Sequence, residues 1–241
     1  MPSGLSLSNY KAVLFDVDGT LVDSLKMIIC GLGDTFEHYN GSRPSDAEIQ
    51  TLIGMPLTSQ LNLHRNDPPT QGEMREMIDF AIDRFDVHEA HEEVFAPAVE
   101  MLRFCRARGL KTALVTSKST RELDGFLKRF SGADSVDTTV CASDVHHPKP
   151  APDSALLACQ RLGVEPHEAV FIGDSVYDLQ CAKSAGMPCV AVAYGAAPAE
   201  VLEAEHPDLL IETPEELLAW AQTAYLESTC LEKGPHRSLT N

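Results

Sequence analysis

Two carboxylates two residues apart, Asp16 and Asp18, sit in the run VLFDVDGT from Val13 to Thr20. Four residues rich in strand formers end in the first acid, and a glycine and a hydroxyl follow the second. A short apolar run that stops at a polar cluster reads as a buried strand delivering its last side chain to a sheet edge. In open α/β sheets, ligands bind at the carboxyl ends of the strands. Two acids placed there in one turn either hold a cation or divide acid and base roles between them.

Three more clusters carry reactive residue types. Thr116-Ser117-Lys118 directly follows KTALVT, Lys149 stands in HHPKPAPD, and Gly173-Asp174-Ser175 with Asp178 follows AVFIG. A helix N-terminus welcomes acids for structural reasons alone, so each cluster is individually weak. Their common position after an apolar run is what joins them.

The elements that must position these residues can be read from the pattern. Further strand-like runs are Thr138 to Cys141, Pro188 to Ala193 and Asp208 to Ile211, beside Lys111 to Thr116 and Ala169 to Gly173. Helical patterns lie between them. Pro97 to Arg108 is stopped by Gly109, and Pro152 to Leu162 opens with Pro-Asp-Ser and closes at Gly163. Strands alternating with helices of this length predict an α/β fold, a doubly wound parallel sheet.

Ser24 to Glu93 is the exception, too long for a single crossover and without a convincing strand. Ser24 to Tyr39, Ser45 to Ile53 and Gln71 to Glu92 read as helices. The expected organisation is therefore a core of residues 10–23 and 94–227 and a small all-helical domain of residues 24–93 inserted after the first strand. The stretch 228–241 is polar and patternless and is expected to be a flexible tail.

The chain has 241 residues and a formal net charge of -17, with 36 acids against 19 Lys and Arg. That field repels nucleic acid and anionic membrane surfaces, so neither is an expected partner. An anionic substrate would need local positive charge to overcome it. Seven cysteines, none in a C-x-x-C pair, read as reduced thiols of a cytoplasmic protein. The start, MPSGLSLSNYK, lacks the marks of a secretory signal, and no stretch approaches the length of a membrane span.

At the four clusters the chain resembles the haloacid dehalogenase superfamily, in the phosphatase branch whose helical cap follows the first motif. It is most similar there to phosphoglycolate phosphatases. LVDS (Leu21 to Ser24) and IGMPL (Ile53 to Leu57) share that likeness, which covers Lys11 to Leu218. The resemblance implies a Rossmann-like core and Mg2+-dependent hydrolysis of a small phosphorylated metabolite through an aspartyl phosphate. Asp16 would be the nucleophile and Asp18 the general acid and base. Asp16, the Asp18 main-chain carbonyl and Asp174 would ligate magnesium, with Asp178 behind them. Thr116 and Ser117 would bind the phosphoryl group, Lys149 would neutralise it and Asp16, and Gly19 would let the backbone turn beside it.

Asp18 argues against a dehalogenase, which needs no leaving-group proton. Lys26, the sole lysine of the insert, stands at the hinge and not where a phosphonatase would form a Schiff base. An inorganic pyrophosphatase or a sugar phosphomutase on the same scaffold remains the alternative, although Thr20 disfavours the mutase. A receiver-type signalling module or a non-catalytic binding protein is the alternative of another class. Arg43 and Arg65 of the insert are candidates for the substrate's far end. His146-His147 and the pair His88 and His91 are expected to be ordinary surface residues. Monomer and homodimer both stay open, and the cap could supply a dimer face.

Overall fold

The computed structural model describes residues 5–63 and 67–232. Six strands, β1 (Ala12–Phe15), β4 (Lys111–Val115), β5 (Thr138–Val140), β6 (Ala169–Gly173), β7 (Cys189–Val192) and β8 (Leu209–Ile211), form one parallel sheet in the order β5-β4-β1-β6-β7-β8. The chain runs outward from β1 through β4 to β5, then returns to β6 on the other side. The order therefore reverses between β1 and β6, where an open sheet leaves a crevice at its carboxyl edge.

The strands are apolar on both faces because helices cover both. Successive residues of β1 point to opposite sides. Val13 and Phe15 join Leu114, Val170 and Ile172 under α5 (Ala96–Ala107), α6 (Thr120–Arg129) and α10 (Pro214–Glu232). Ala12 and Leu14 join Ala113, Val115 and Phe171 under α7 (Asp153–Leu162), α8 (Val176–Ser184) and α9 (Ala199–Ala204). The six cysteines with described side chains are free thiols, five of them buried in these layers.

Between β1 and β4 lies the helical insert, α1 (Leu25–Asn40), α2 (Asp46–Gln50), α3 (Leu57–Asn62) and α4 (Gln71–Val87). Capping boxes at Ser45–Glu48 and Thr70–Glu73 start α2 and α4. Gly41 ends α1 in the left-handed region, at φ 71°. The four helices enclose an apolar cluster of their own, including Leu32, Phe36, Ile49, Leu61, Met77 and Ile82.

Three expectations are corrected. A two-residue strand, β3 (Glu93–Val94), pairs antiparallel with β2 (Val22–Asp23) where the chain leaves and re-enters the core. Two residues are too short for periodicity to reveal. Helix α3 was not expected, because its apolar residues Leu57 and Leu61 make only one turn of pattern. Helix α10 runs to Glu232, past the expected start of the tail at Ser228. Residues 233–241 lie outside the described ones. No helix among the described residues is long and apolar enough to cross a membrane.

Candidate active site

Strand register assembles the site. Phe15 pairs with Leu114 on one side and Ile172 on the other, so Asp16 stands level with Val115 and Gly173. Thr116 and Asp174 follow one residue beyond. Three motifs far apart in sequence thus end in one layer, with the Asp16 N–H donating to the Ile172 carbonyl at 2.9 Å.

Lys149 enters from the segment before α7. Its ammonium donates to Asp16 Oδ1 at 2.8 Å, Asp178 Oδ1 at 2.6 Å and the Val115 carbonyl at 3.3 Å. The four charged residues are almost inaccessible, at 3% for Asp16 and Lys149, 2% for Asp174 and 0% for Asp178. Asp178 also belongs to the capping box of α8. Its Oδ2 accepts from the Ser175 N–H at 3.1 Å and the Ser175 hydroxyl at 2.5 Å. Asp174 Oδ2 accepts the Ala196 N–H at 2.7 Å.

Carboxylate oxygens of Asp16, Asp174 and Asp178 lie within 4.8 Å of one another. Against these three acids stands one buried ammonium. Burial first, then repulsion from Asp178, pushes Asp16 up to about 7, although Lys149 pulls the other way. Burial and the Asp16 and Asp178 charges raise Asp174 well above the carboxylate range. Lys149 is raised by the same two acids, which outweigh its burial. Fully ionised, the three acids would outnumber the one ammonium, and the raised values reflect that cost. Hard oxygen donors with an excess of negative charge suit a divalent cation. Asp178 has both oxygens engaged. Asp16 Oδ2 and Asp174 Oδ1 have no hydrogen bond among the described residues.

Gly19 closes this wall. It has a φ of 75°, and a Cβ there would overlap the Asp174 carboxylate. Asp18 faces the other way. Its carboxylate takes Lys118 Nζ on both oxygens, at 2.9 and 2.8 Å, and the Ser24 hydroxyl at 2.6 Å. Against the effect of burial, Lys118 and Ser24 hold Asp18 below the ordinary carboxylate range. Lys118 is raised, its acidic neighbours Asp18 and Glu122 outweighing burial. Thr116 is buried and accepts the Lys118 N–H at 3.2 Å. The Ser117 hydroxyl donates to the Gly54 carbonyl of the insert at 2.7 Å.

A cavity of about 40 Å³ opens over this layer, lined by Asp16, Asp18, Ser117, Lys118 and Lys149 of the core and by side chains of the insert. Arg43 is not among them. Asp34 and Asp46 hold its guanidinium between α1 and α2, at 3.5 and 3.1 Å, so its charge is spent inside the insert. Arg65 lies outside the described residues. His146 and His147 are exposed, and His88 meets Asp34 at 2.8 Å.

Three contributors carried no assigned role in the sequence reading. Lys118 was in plain sight behind Thr116-Ser117, and Ser24 ends LVDS. The Ala196 N–H carries no signal, because a loop backbone donor has no residue type.

A family model described as haloacid dehalogenase-like hydrolase matches residues 13–192. A pyrophosphatase, PpaX of Bacillus velezensis, is 33% identical over 213 residues, covering 86% of this chain and 94% of that one. The phosphoglycolate phosphatase of Escherichia coli K12 is 28% identical over 229 residues, covering 86% and 91%. Among solved structures, a haloacid dehalogenase-like family hydrolase from Streptococcus pneumoniae superposes with a TM-score of 0.75 at 22% identity, covering 89% and 99%, a likeness of fold.

Proposed function

The chain belongs to the haloacid dehalogenase-like hydrolases, and from that premise we propose that it is a magnesium-dependent phosphatase of a small phosphorylated metabolite. The observation that carries this reading is the buried Asp16 carboxylate on Lys149, within 4.8 Å of the Asp174 carboxylate, with Asp18 two residues on.

Asp16 attacks the phosphorus in line with the leaving oxygen. The phosphorus–oxygen ester bond breaks, an aspartyl phosphate forms, and the Asp18 proton passes to the leaving alkoxide. Asp18 then takes a proton from the water that attacks the phosphorus, which frees inorganic phosphate and restores Asp16. Asp18 is ionised while Lys118 grips it. A phosphate dianion beside it repels that charge and competes for Lys118, so substrate binding itself favours the acid form. Lys149 holds Asp16 in place and offsets the phosphoryl charge. Thr116 and the Ser117 N–H bind the phosphoryl oxygens.

Asp16, the Asp18 carbonyl and Asp174 would hold magnesium, with Asp178 and Lys149 supporting them. Bound there, the ion supplies charge neutralisation and alignment of the phosphoryl group. Residues 24–93 act as a cap domain over residues 10–23 and 94–227.

The 33% identity to a pyrophosphatase favours inorganic pyrophosphate as the second reading. Phosphate release from a panel of phosphometabolites and pyrophosphate, with magnesium and with EDTA, tests both. Hydrolysis should require the metal. No release from any compound would contradict the phosphatase reading.

A further inference from the structure

We infer that the leaving group accepted by this site is an uncharged, largely apolar alcohol, and that substrates with a second anionic group are poor. The inference rests on the phosphatase reading and adds the class of substrate.

With Asp16 attacking in line, the leaving group points away from it, past Asp18 toward the insert. The wall it meets there is Met27, Ile28, Ile53, Met55, Leu57 and Phe85. Thioether, branched aliphatic and aromatic groups make a surface that favours apolar contact and cannot repay the desolvation of an anion. Gln60 is the polar side chain of the insert on this wall, and its amide is spent on the Leu52 and Met55 carbonyls at 3.2 and 2.9 Å.

Two charges of the core reach the same space besides those around Asp16. Lys118 has its ammonium against both oxygens of Asp18, and Glu122 adds a negative charge beside it. A carboxylate or second phosphate on the leaving group would meet the Glu122 charge and the apolar wall, and Lys118, for which the transferring phosphate already competes, is not left over for it.

The wall is itself a consequence of the fold. Gly31 lets the Phe85 ring seat directly on α1, since a Cβ there would overlap the ring. The ring is thereby turned to the cavity that Met27 and Ile28 line from the same helix.

The test is kcat/KM, with magnesium, for propyl phosphate, phosphoglycolate and pyrophosphate, with p-nitrophenyl phosphate as a general phosphatase substrate. Propyl phosphate should exceed both anionic compounds by at least tenfold. Met55→Lys places a cation on the half-exposed part of the wall and should move the ratio of phosphoglycolate to propyl phosphate at least tenfold upward. Phosphoglycolate or pyrophosphate turned over as well as propyl phosphate would overturn the inference while leaving the phosphatase reading intact. An unchanged ratio in a folded Met55→Lys protein would overturn the assignment of the wall. Should that variant not fold, the wild-type ratios decide alone. No release from any of the four compounds would overturn the phosphatase reading and this inference with it.

Discussion

Asp16 and Asp174 are buried where an ionised carboxylate is costly, beside a single ammonium that Asp178 shares. Both acids titrate above their ordinary range, so folding without a cation favours their protonated forms. Their contribution to stability is full below the ordinary carboxylate range. It is lost as pH rises through their folded values, about 7 for Asp16. A bound cation removes that penalty. The gain in Tm from magnesium should therefore be larger at pH 8 than at pH 5, and Asp174→Asn should remove most of the difference. Equal gains at both pH values in the wild type would contradict it. Asp18 gives a second expectation at this scale. A proton for the leaving oxygen matters most when that oxygen is a poor leaving group. Asp18→Asn should lower turnover of alkyl phosphates more than of p-nitrophenyl phosphate, by about tenfold or more. An unchanged ratio of the two rates would reduce Asp18 to a shaper of the metal site.

The elements carry the precision of the site. Register in β1, β4 and β6 brings Asp16, Thr116 and Asp174 together, and the turn after β1 fits only because Gly19 has no side chain. Gly19→Ala forces a strained φ and displaces the Asp174 carboxylate. A misplacement near 1 Å costs about a hundredfold in rate, so kcat/KM should fall by that order and the magnesium-induced rise in Tm should shrink. Near-normal values of both would show that the turn tolerates a Cβ. Much of this scale was legible beforehand. The apolar runs gave every strand of the main sheet to within one or two residues, because buried parallel strands leave unbroken hydrophobic runs. The pair β2–β3 and helix α3 were not legible, since two residues or one turn carry no period. Of the residues the structure brings together, Asp16, Asp18, Thr116 and Asp174 stood in clusters at the ends of apolar runs and Lys149 in the segment before α7. The fate of Arg43 depended on Asp34 and Asp46 folding around it, which no spacing announces.

On the scale of the whole molecule, the net charge of -17 opposes the approach of an anionic substrate. Lys149, and a cation held by the acidic cluster, would act only at short range. Raising salt screens the long-range repulsion, so kcat/KM for a phosphate ester should rise with ionic strength until specific ion effects intervene. A steep fall from the lowest salt would mean that a positive surface steers the substrate. The sheet order places the crevice between β1 and β6, and insert side chains form the far wall of the cavity beside it, at the ends of β1 and β4. Core and insert are tied across the site by the Ser117 hydroxyl on the Gly54 carbonyl and the Gln50 amide on the Ala196 carbonyl. Ala196 also donates to Asp174, so one loop links the insert to the acidic cluster.

The central claim is that Asp16 becomes phosphorylated during turnover. Acid-quenching the protein during hydrolysis of a good substrate and sequencing its peptides by mass spectrometry tests this directly. The expected result is a phosphoryl group on Asp16 in the wild type, none in Asp16→Asn, and a loss of turnover of several orders of magnitude in that variant. Phosphate release at a near-normal rate by Asp16→Asn, or a phosphoryl group carried on another residue, would contradict the claim.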